Sequence, residues 1–289
     1  LPNGYHEMDM GMQTVHLCDT LTVSRHSGSD IHMTCTGPDS KPLPLACDDS
    51  NIAVRCTRAF FEHYGFSALP CSVVIHLVKR IPMMAGLGGG SADGAAVLAA
   101  LNHLTQSGLS LEQLEQIAVG CGADIPFCLR GGTQRAQGIG EDFSPLSPMP
   151  DCPILIIKPR FGISTKDAFA RSDSTAFSHA QVQRMCQALD TGSVLPIADC
   201  LQNVFEQLCS ADEQKLLHQA RQFLIQNGAL GALLSGSGSA LFGLFDNEAA
   251  ACAARSALQD HPLLEGVFLC RPLPFGAFEA VRNSLRNPS

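Results

Sequence analysis

Residues 86–90 read Gly86-Leu87-Gly88-Gly89-Gly90, four glycines in five positions, with a helical pattern directly behind them. In front of them, Val73, Ile75 and Leu77 alternate with their neighbours at period two, the pattern of a half-buried strand. A strand therefore runs into a glycine loop. The loop runs into a helix expected to start at Ser91, with Val97, Leu101 and Leu104 on its apolar face. Glycines let the backbone approach an anion closely and turn N–H groups toward it. The helix behind them adds the positive end of its dipole. Together they would hold a polyphosphate. The stretch is not a Walker A loop, because no Lys-Ser or Lys-Thr pair follows the glycines. It is not G-x-G-x-x-G either, because Ser91 stands where the last glycine would be.

The rest of the composition narrows the class. A chain of 289 residues suits two domains. Its net charge of −8, with no basic run longer than Lys79-Arg80, argues against a nucleic-acid surface. With 45% hydrophobic and 16% charged residues, it is not a disordered chain. The uncharged stretch of residues 229–245 is broken by four glycines and three serines, so it reads as two strands and a turn rather than a membrane helix. No two of the 13 cysteines have C-x-x-C spacing, which excludes zinc knuckles and thioredoxin-like sites. They read as reduced thiols of a cytoplasmic protein, mostly packing as small hydrophobes. Among the ten histidines no H-E-x-x-H spacing occurs, and no metal ligands are legible. The chain opens on Leu1 rather than Met and enters a Pro2-Asn3-Gly4 turn at once.

Residues 8–36 are short and strand-like. A helix starts at Asp48 to Asn51, carries Ile52, Cys56, Ala59 and Phe60 on one face and stops at Gly65. Another begins at Ser110, with Gln113 in the capping-box position and Leu109 placed to staple onto Leu114, and ends at Gly120. Residues 127–130 and 133–137 flank Gly131-Gly132, which reads as a hairpin. Four prolines in residues 142–153 place a domain boundary there, giving domains of 1–150 and 151–289. Beyond it a strand covers 154–158, and a helix starts at Ser178 with Gln181 in the capping-box position. A long helix covers 211–227, strands cover 229–234 and 240–245, Asn247 caps a helix, and a last strand covers 267–271. With the helices of 165–209 taken as an insertion, the second half reads β-α-β-β-α-β, the ferredoxin-like order. The fold class is α+β.

Three other segments could carry chemistry. Ser235-Gly236-Ser237-Gly238-Ser239 is either a plain hairpin turn or a second glycine loop lining the same cleft. Asp124, between Gly122-Ala123 and Ile125-Pro126, is either a turn residue or a general base facing a cleft. Tyr5 and His6 form either a turn with a packed ring or a clamp for a planar ligand.

These pieces resemble the GHMP small-molecule kinases. The resemblance is carried by Gly4-Tyr5-His6-Glu7, Asp49 to Arg55, Lys79-Arg80-Ile81-Pro82, Gly86 to Asp93, Gly122 to Pro126, Gly138-Ile139-Gly140-Glu141 and the Ser235 to Ser239 loop, in order, from Pro2 to about Pro272. It implies a two-domain fold, with an ATP-binding α+β domain followed by a ferredoxin-like domain. It also implies transfer of the ATP γ-phosphoryl, with Mg²⁺, to the 2-hydroxyl of a methylerythritol unit carried on a cytidine diphosphate. Asp124 matches the aspartate that activates this hydroxyl. Pro82-Met83-Met84-Ala85-Gly86-Leu87-Gly88-Gly89-Gly90-Ser91-Ala92 matches the ATP phosphate loop, and Asn51 and Ile52 fall on the adenine side. Tyr5 and His6 match residues holding the cytosine, Phe169 the aromatic on its other face, and Thr165 a residue near the reacting end. Gly236, Ser237 and Gly238 match the third family motif. The family also carries a strand ahead of the Gly-Tyr-His turn, with a Lys beside the catalytic Asp, which this sequence does not include. Gly94 stands where Ala is usual, and the Gln134-Arg135 pair is a polar departure. The resemblance implies a monomer or weak homodimer in the cytoplasm, with a small-molecule cytidine diphosphate substrate and no nucleic-acid or membrane partner. The alternatives are a nucleotide- or cytidyl-binding protein with little turnover and a GHMP kinase of the homoserine or mevalonate type.

Overall fold

The computed structural model describes residues 8–65, 69–163 and 181–286. The first half holds two small sheets. In one, β1 (Met10–Gln13), β5 (Thr133–Gln137) and β6 (Asp142–Pro145) pair antiparallel in the order β1-β5-β6. In the other, β4 (Ser72–Val78) lies between β2 (Thr20–His26), antiparallel to it, and β3 (Ile31–Thr36), parallel to it. A parallel pair needs a crossover, and α1 (Ile52–His63) supplies it. Asn51 caps α1 as expected, its side chain accepting from Ala53 N–H at 2.9 Å.

The helix behind the glycine loop, α2 (Gly89–Leu104), is apolar on nearly every face, so it goes to the centre. Val97, Leu98 and Leu101 are fully buried there, in one core with Phe60 of α1 and Ile75 and Leu77 of β4. The helix starts at Gly89, two residues earlier than expected, because two more glycines adopt helical geometry behind Gly88. α3 (Leu111–Val119) has the expected Ser110 and Gln113 capping box and reaches its C-cap at Gly120.

The hairpin expected around Gly131-Gly132 does not form. Residues 127–130 belong to a short helix, α4 (Ile125–Arg130), with Pro126 in its first turn. Gly131 is instead the C-cap of α4, at φ 71°. A side chain there would overlap the backbone of residues 275–276, since a Cβ would lie 2.0 Å from Gly276 N. That contact brings the end of the chain back to the first half, where α10 (Ala277–Arg286) packs on α2 and α4.

The second half has the expected strand-helix order. β7 (Ile154–Pro159), α8 (Ala211–Gln226), β8 (Gly231–Leu234), β9 (Leu241–Leu244), α9 (Glu248–Leu258) and β10 (Leu264–Cys270) build one antiparallel sheet, ordered β10-β7-β9-β8. That is the split βαβ arrangement. Every residue of β7 is buried because both faces of the sheet are covered. Leu155 and Ile157 face the core of α8 and α9, whereas Ile154 and Ile156 face a second core with α5 (Val182–Asp190) and α6 (Val194–Asp199). A short helix, α7 (Phe205–Leu208), leads into α8. Ser178 lies outside the described residues. Gln181, expected inside that helix, is the N-cap of α5 and makes no side-chain capping bond.

Candidate active site

Strand β4 delivers Lys79 to the mouth of the glycine loop. Lys79 is buried, and its Nζ donates to Asp93 Oδ2 at 3.0 Å and to Asp19 Oδ2. Asp19 Oδ1 accepts the backbone N–H groups of Arg80 and Ile81, the latter at 2.9 Å. The strand exit is thus tied to the second turn of α2 through one lysine and two acids. Burial alone would lower the Lys79 pKa, but the two neighbouring carboxylates raise it. Burial pushes Asp93 up to about 7, against the pull of Lys79.

The loop then reaches the helix end. Met84 takes a left-handed φ of 49° and is 88% exposed. Gly88, the N-cap of α2, has a φ of 63°, and no side chain caps the helix. The first intrahelical bond of that turn runs from Ala92 N–H to Gly88 O at 2.8 Å, so the N–H groups of Gly89, Gly90 and Ser91 have no carbonyl of their own helix to meet. An uncapped helix end of this kind presents N–H donors and the positive end of the helix dipole to an anion.

The Ser235 to Ser239 stretch sits directly on this loop. Ser235 Oγ donates to Gly86 O at 2.8 Å, and Ala240 N–H donates to Ala85 O at 3.0 Å. Gly86, at φ 70°, must be glycine, because a Cβ would lie 2.1 Å from Ser235 O. Asn203 Nδ2 holds the far side of the stretch through Gly236 O at 2.7 Å and Leu234 O at 2.9 Å. The stretch is the turn of the β8–β9 hairpin, and its Ser235, Gly236 and Gly238 also pack against Gly86 of the first glycine loop.

Asp124 is the N-cap residue of α4, but its side chain makes no capping bond. It is open to solvent yet recessed, and desolvation raises its carboxyl above the ordinary range. One turn on, Cys128 is held in its thiol form by burial and by the charges of Asp124 and Asp93, which places it near both acids. Cys121, on the other side of the segment, shares a hydrogen bond with Cys56 that brings it down to about 7.

Ile52 adjoins the first turns of α2, since a Cβ on Gly90 would lie 3.3 Å from its Cδ1. The Asn51 side chain is committed to structure, with Oδ1 accepting from Ala53 and Nδ2 donating to Ala46 O at 2.7 Å. Tyr5, His6, Thr165 and Phe169 lie outside the described residues. The buried Asp19–Lys79 pair was not read from the sequence. Its signal was Asp93 itself, a charge inside an otherwise apolar helix, which needs a buried cation.

A ferredoxin-like half docked through a serine-glycine loop onto an uncapped helix end defines a class. The family model for the GHMP kinases N terminal domain matches residues 51–132, and that for the GHMP kinases C terminal matches residues 185–262. The chain belongs to the GHMP kinases, and it is a phosphotransferase acting on a hydroxyl group. It is 35% identical to the 4-diphosphocytidyl-2-C-methyl-D-erythritol kinase of Lachnoclostridium phytofermentans over 93% of this chain and 90% of that protein. A crystal structure of 4-(cytidine 5'-diphospho)-2C-methyl-D-erythritol kinase is similar to it at 30% identity and a TM-score of 0.75, covering 94% of this chain and 92% of the other. A homoserine kinase from Cytophaga hutchinsonii shares the fold, at 20% identity and a TM-score of 0.71, over 89% and 87% of the two chains.

Proposed function

We infer that this chain transfers the γ-phosphoryl group of ATP to the 2-hydroxyl of 4-diphosphocytidyl-2-C-methyl-D-erythritol, a step of the non-mevalonate isoprenoid pathway. The observation that carries this reading is the pair of glycine stretches locked together at the open end of α2, with the recessed Asp124 on the adjoining helix. The two proteins most like it in sequence and structure above carry that kinase name. The homoserine kinase likeness is one of fold alone.

Phosphoryl transfer needs positioning and charge stabilisation more than covalent chemistry. In the proposed arrangement, the phosphates lie on the N–H groups of Gly89, Gly90 and Ser91 and along residues 82–88. Asn51 and Ile52 flank the adenine side, Ile52 by its apolar surface. Asp124 orients the acceptor hydroxyl and takes its proton as charge leaves the γ-phosphate. Its raised pKa suits that role, because a carboxylate made dearer by desolvation is a stronger base. Gly236, Ser237 and Gly238 close the reacting end. Tyr5, His6, Thr165 and Phe169 are proposed for the cytidine and methylerythritol sides from the family resemblance alone.

Among the described residues, no group of three or more His, Cys, Asp or Glu side chains could cage a metal. A Mg²⁺ ion bound with the nucleotide beside Gly89, Gly90 and Ser91 would neutralise charge on the transferring phosphates. We also propose domains of 1–150 and 151–289, with the last helix returned to the first, and a monomer or weak homodimer in the cytoplasm with no nucleic-acid partner. Free thiols at all 13 cysteines suit a reducing compartment. No described helix is long and apolar enough to cross a membrane.

The test is ADP release, measured with 4-diphosphocytidyl-2-C-methyl-D-erythritol, homoserine and mevalonate as competing acceptors, each with ATP and Mg²⁺. Turnover should appear with the cytidyl substrate alone. Equal or greater turnover with homoserine or mevalonate, or none with any acceptor, sinks the reading.

A further inference from the structure

A buried acid with an idle oxygen lies under the proposed nucleotide loop. Asp93 is only 4% exposed; its Oδ2 accepts from Lys79, and its Oδ1 has no partner. Asp19 is better served, since it accepts from Lys79, Arg80 N–H and Ile81 N–H. The side chains of Asp19, Lys79 and Asp93 are 2%, 6% and 5% exposed, so the cluster is nearly closed to water. With both acids ionised it carries a net negative charge, and an unbalanced buried charge is costly. Three donors hold the charge on Asp19 and one holds it on Asp93, so a proton taken up by the cluster belongs on Asp93.

The cluster touches the loop. A Cβ on Gly89 would lie 2.9 Å from Lys79 Nζ, which places the ammonium directly against the first residue of α2. Phosphates held by the N–H groups of Gly89, Gly90 and Ser91 would stand just across that backbone. Their negative charge would act on the cluster through a dry, low-dielectric layer.

We propose that nucleotide binding at the glycine loop draws a proton onto Asp93, so that the Asp19, Lys79 and Asp93 cluster is neutral beneath bound phosphates and negative when the loop is empty. The inference rests on the reading of this loop as the ATP site. Asp93 touches no reacting atom and acts through Lys79 and the loop, as a positioning residue. The titratable groups around it are Lys79 at the exit of β4, Asp19 ahead of β2, Cys35 on β3 and Cys128 on α4, with Asp124 beyond Cys128. Burial already lifts Asp93 to about 7, which places the uptake near neutral pH. The sign follows: an anion in the loop favours the protonated acid, so affinity weakens as pH rises.

The experiment is calorimetric titration of the whole chain with ADP in buffers of different ionisation enthalpy, from mildly acidic to mildly alkaline pH, for wild type and Asp93→Asn. Wild type should take up roughly half a proton per ADP near neutral pH beyond the proton exchange of ADP itself, and its Kd should rise several-fold across the range. Asp93→Asn, a neutral isostere of the protonated acid, should bind with the exchange of ADP alone and a flatter Kd profile. Equal proton uptake in the two proteins overturns the inference while leaving the nucleotide site intact. No binding heat with wild type removes both. If the variant does not fold, infrared difference spectra of wild type decide. A protonated-carboxyl C=O band that grows on adding ADP supports the inference, and an unchanged band overturns it.

Discussion

Two glycines of the loop share a backbone conformation and differ in what surrounds them, which makes a controlled comparison. Gly86 and Gly88 have φ values of 70° and 63°. A Cβ on Gly88 would meet nothing within 4 Å, whereas on Gly86 it would lie 2.1 Å from Ser235 O and 2.8 Å from Gly238 N. Alanine at either position costs about 1–2 kcal/mol for the left-handed conformation. Loss of glycine freedom in the unfolded chain offsets about 0.4–1 kcal/mol of that. Gly88→Ala should therefore destabilise the apo protein by about 1 kcal/mol. Gly86→Ala must also push the two loops apart. That breaks the bonds from Ser235 Oγ to Gly86 O and from Ala240 N–H to Ala85 O, worth about 1 kcal/mol each. The total is then about 3 kcal/mol. At roughly 2 °C per kcal/mol for a chain of this size, the melting temperature should fall by about 6 °C for Gly86→Ala and by about 2 °C for Gly88→Ala. Scanning calorimetry without ligand reads both, so no phosphate contact enters the comparison. Equal shifts would refute the claim that direct loop-to-loop contact holds the site.

Asp124→Asn should lower kcat at least about 100-fold and leave the Kd for ADP within about threefold, as read by ADP release and calorimetry. The same variant should melt higher than wild type at neutral pH. A carboxyl whose folded pKa is raised is stabilising when protonated and loses that advantage as pH climbs from the ordinary carboxylate range through its folded pKa. The gap should close as the pH is lowered below that range, and a gap independent of pH would contradict the desolvation of the Asp124 carboxyl. Gly94→Ala gains about 1 kcal/mol of helix propensity, but its Cβ would lie 2.8 Å from Ile52 Cγ2 and 2.9 Å from Cys56 Sγ. Urea unfolding should show a net loss of about 1 kcal/mol, and a net gain would show that α1 and α2 can separate freely. Met84→Gly removes a left-handed strain at an exposed site, so the same measurement should show a gain of up to about 1 kcal/mol.

What could be read in the chain was local. Asn51, Ser110 and Asn247 cap the helices that follow them through side-chain bonds spanning two or three residues, and such bonds are written in adjacent letters. The order of strands and helices in the second half was legible for the same reason, because each element is bounded by its own turn residues. What was misread depended on distant partners. Gly131-Gly132 looks like a turn in isolation, yet Gly131 is glycine because Gly276 packs against it. The pairing of β5 with β1 and β6 then follows from the sheet rather than from the glycines. The Asp19, Lys79 and Asp93 cluster joins residues up to 74 positions apart, and no local pattern marks Asp19. Asp124 was legible as a candidate, but only the structure shows that its carboxyl is recessed and uncommitted to capping.

The apolar residues of the glycine loop have a consequence for how such a chain can vary. Ala85 is 2% exposed and lies in the core that covers one face of the β7 sheet, with Leu87 packed against it. The loop is therefore plugged into the second half at fixed points along its own backbone. Most surface loops lengthen and shorten freely over evolutionary time. This one cannot gain or lose a residue between 85 and 87 without unseating a plug. A change of loop length between 85 and 87 should therefore cost far more than a substitution at an outward-facing position such as Met84.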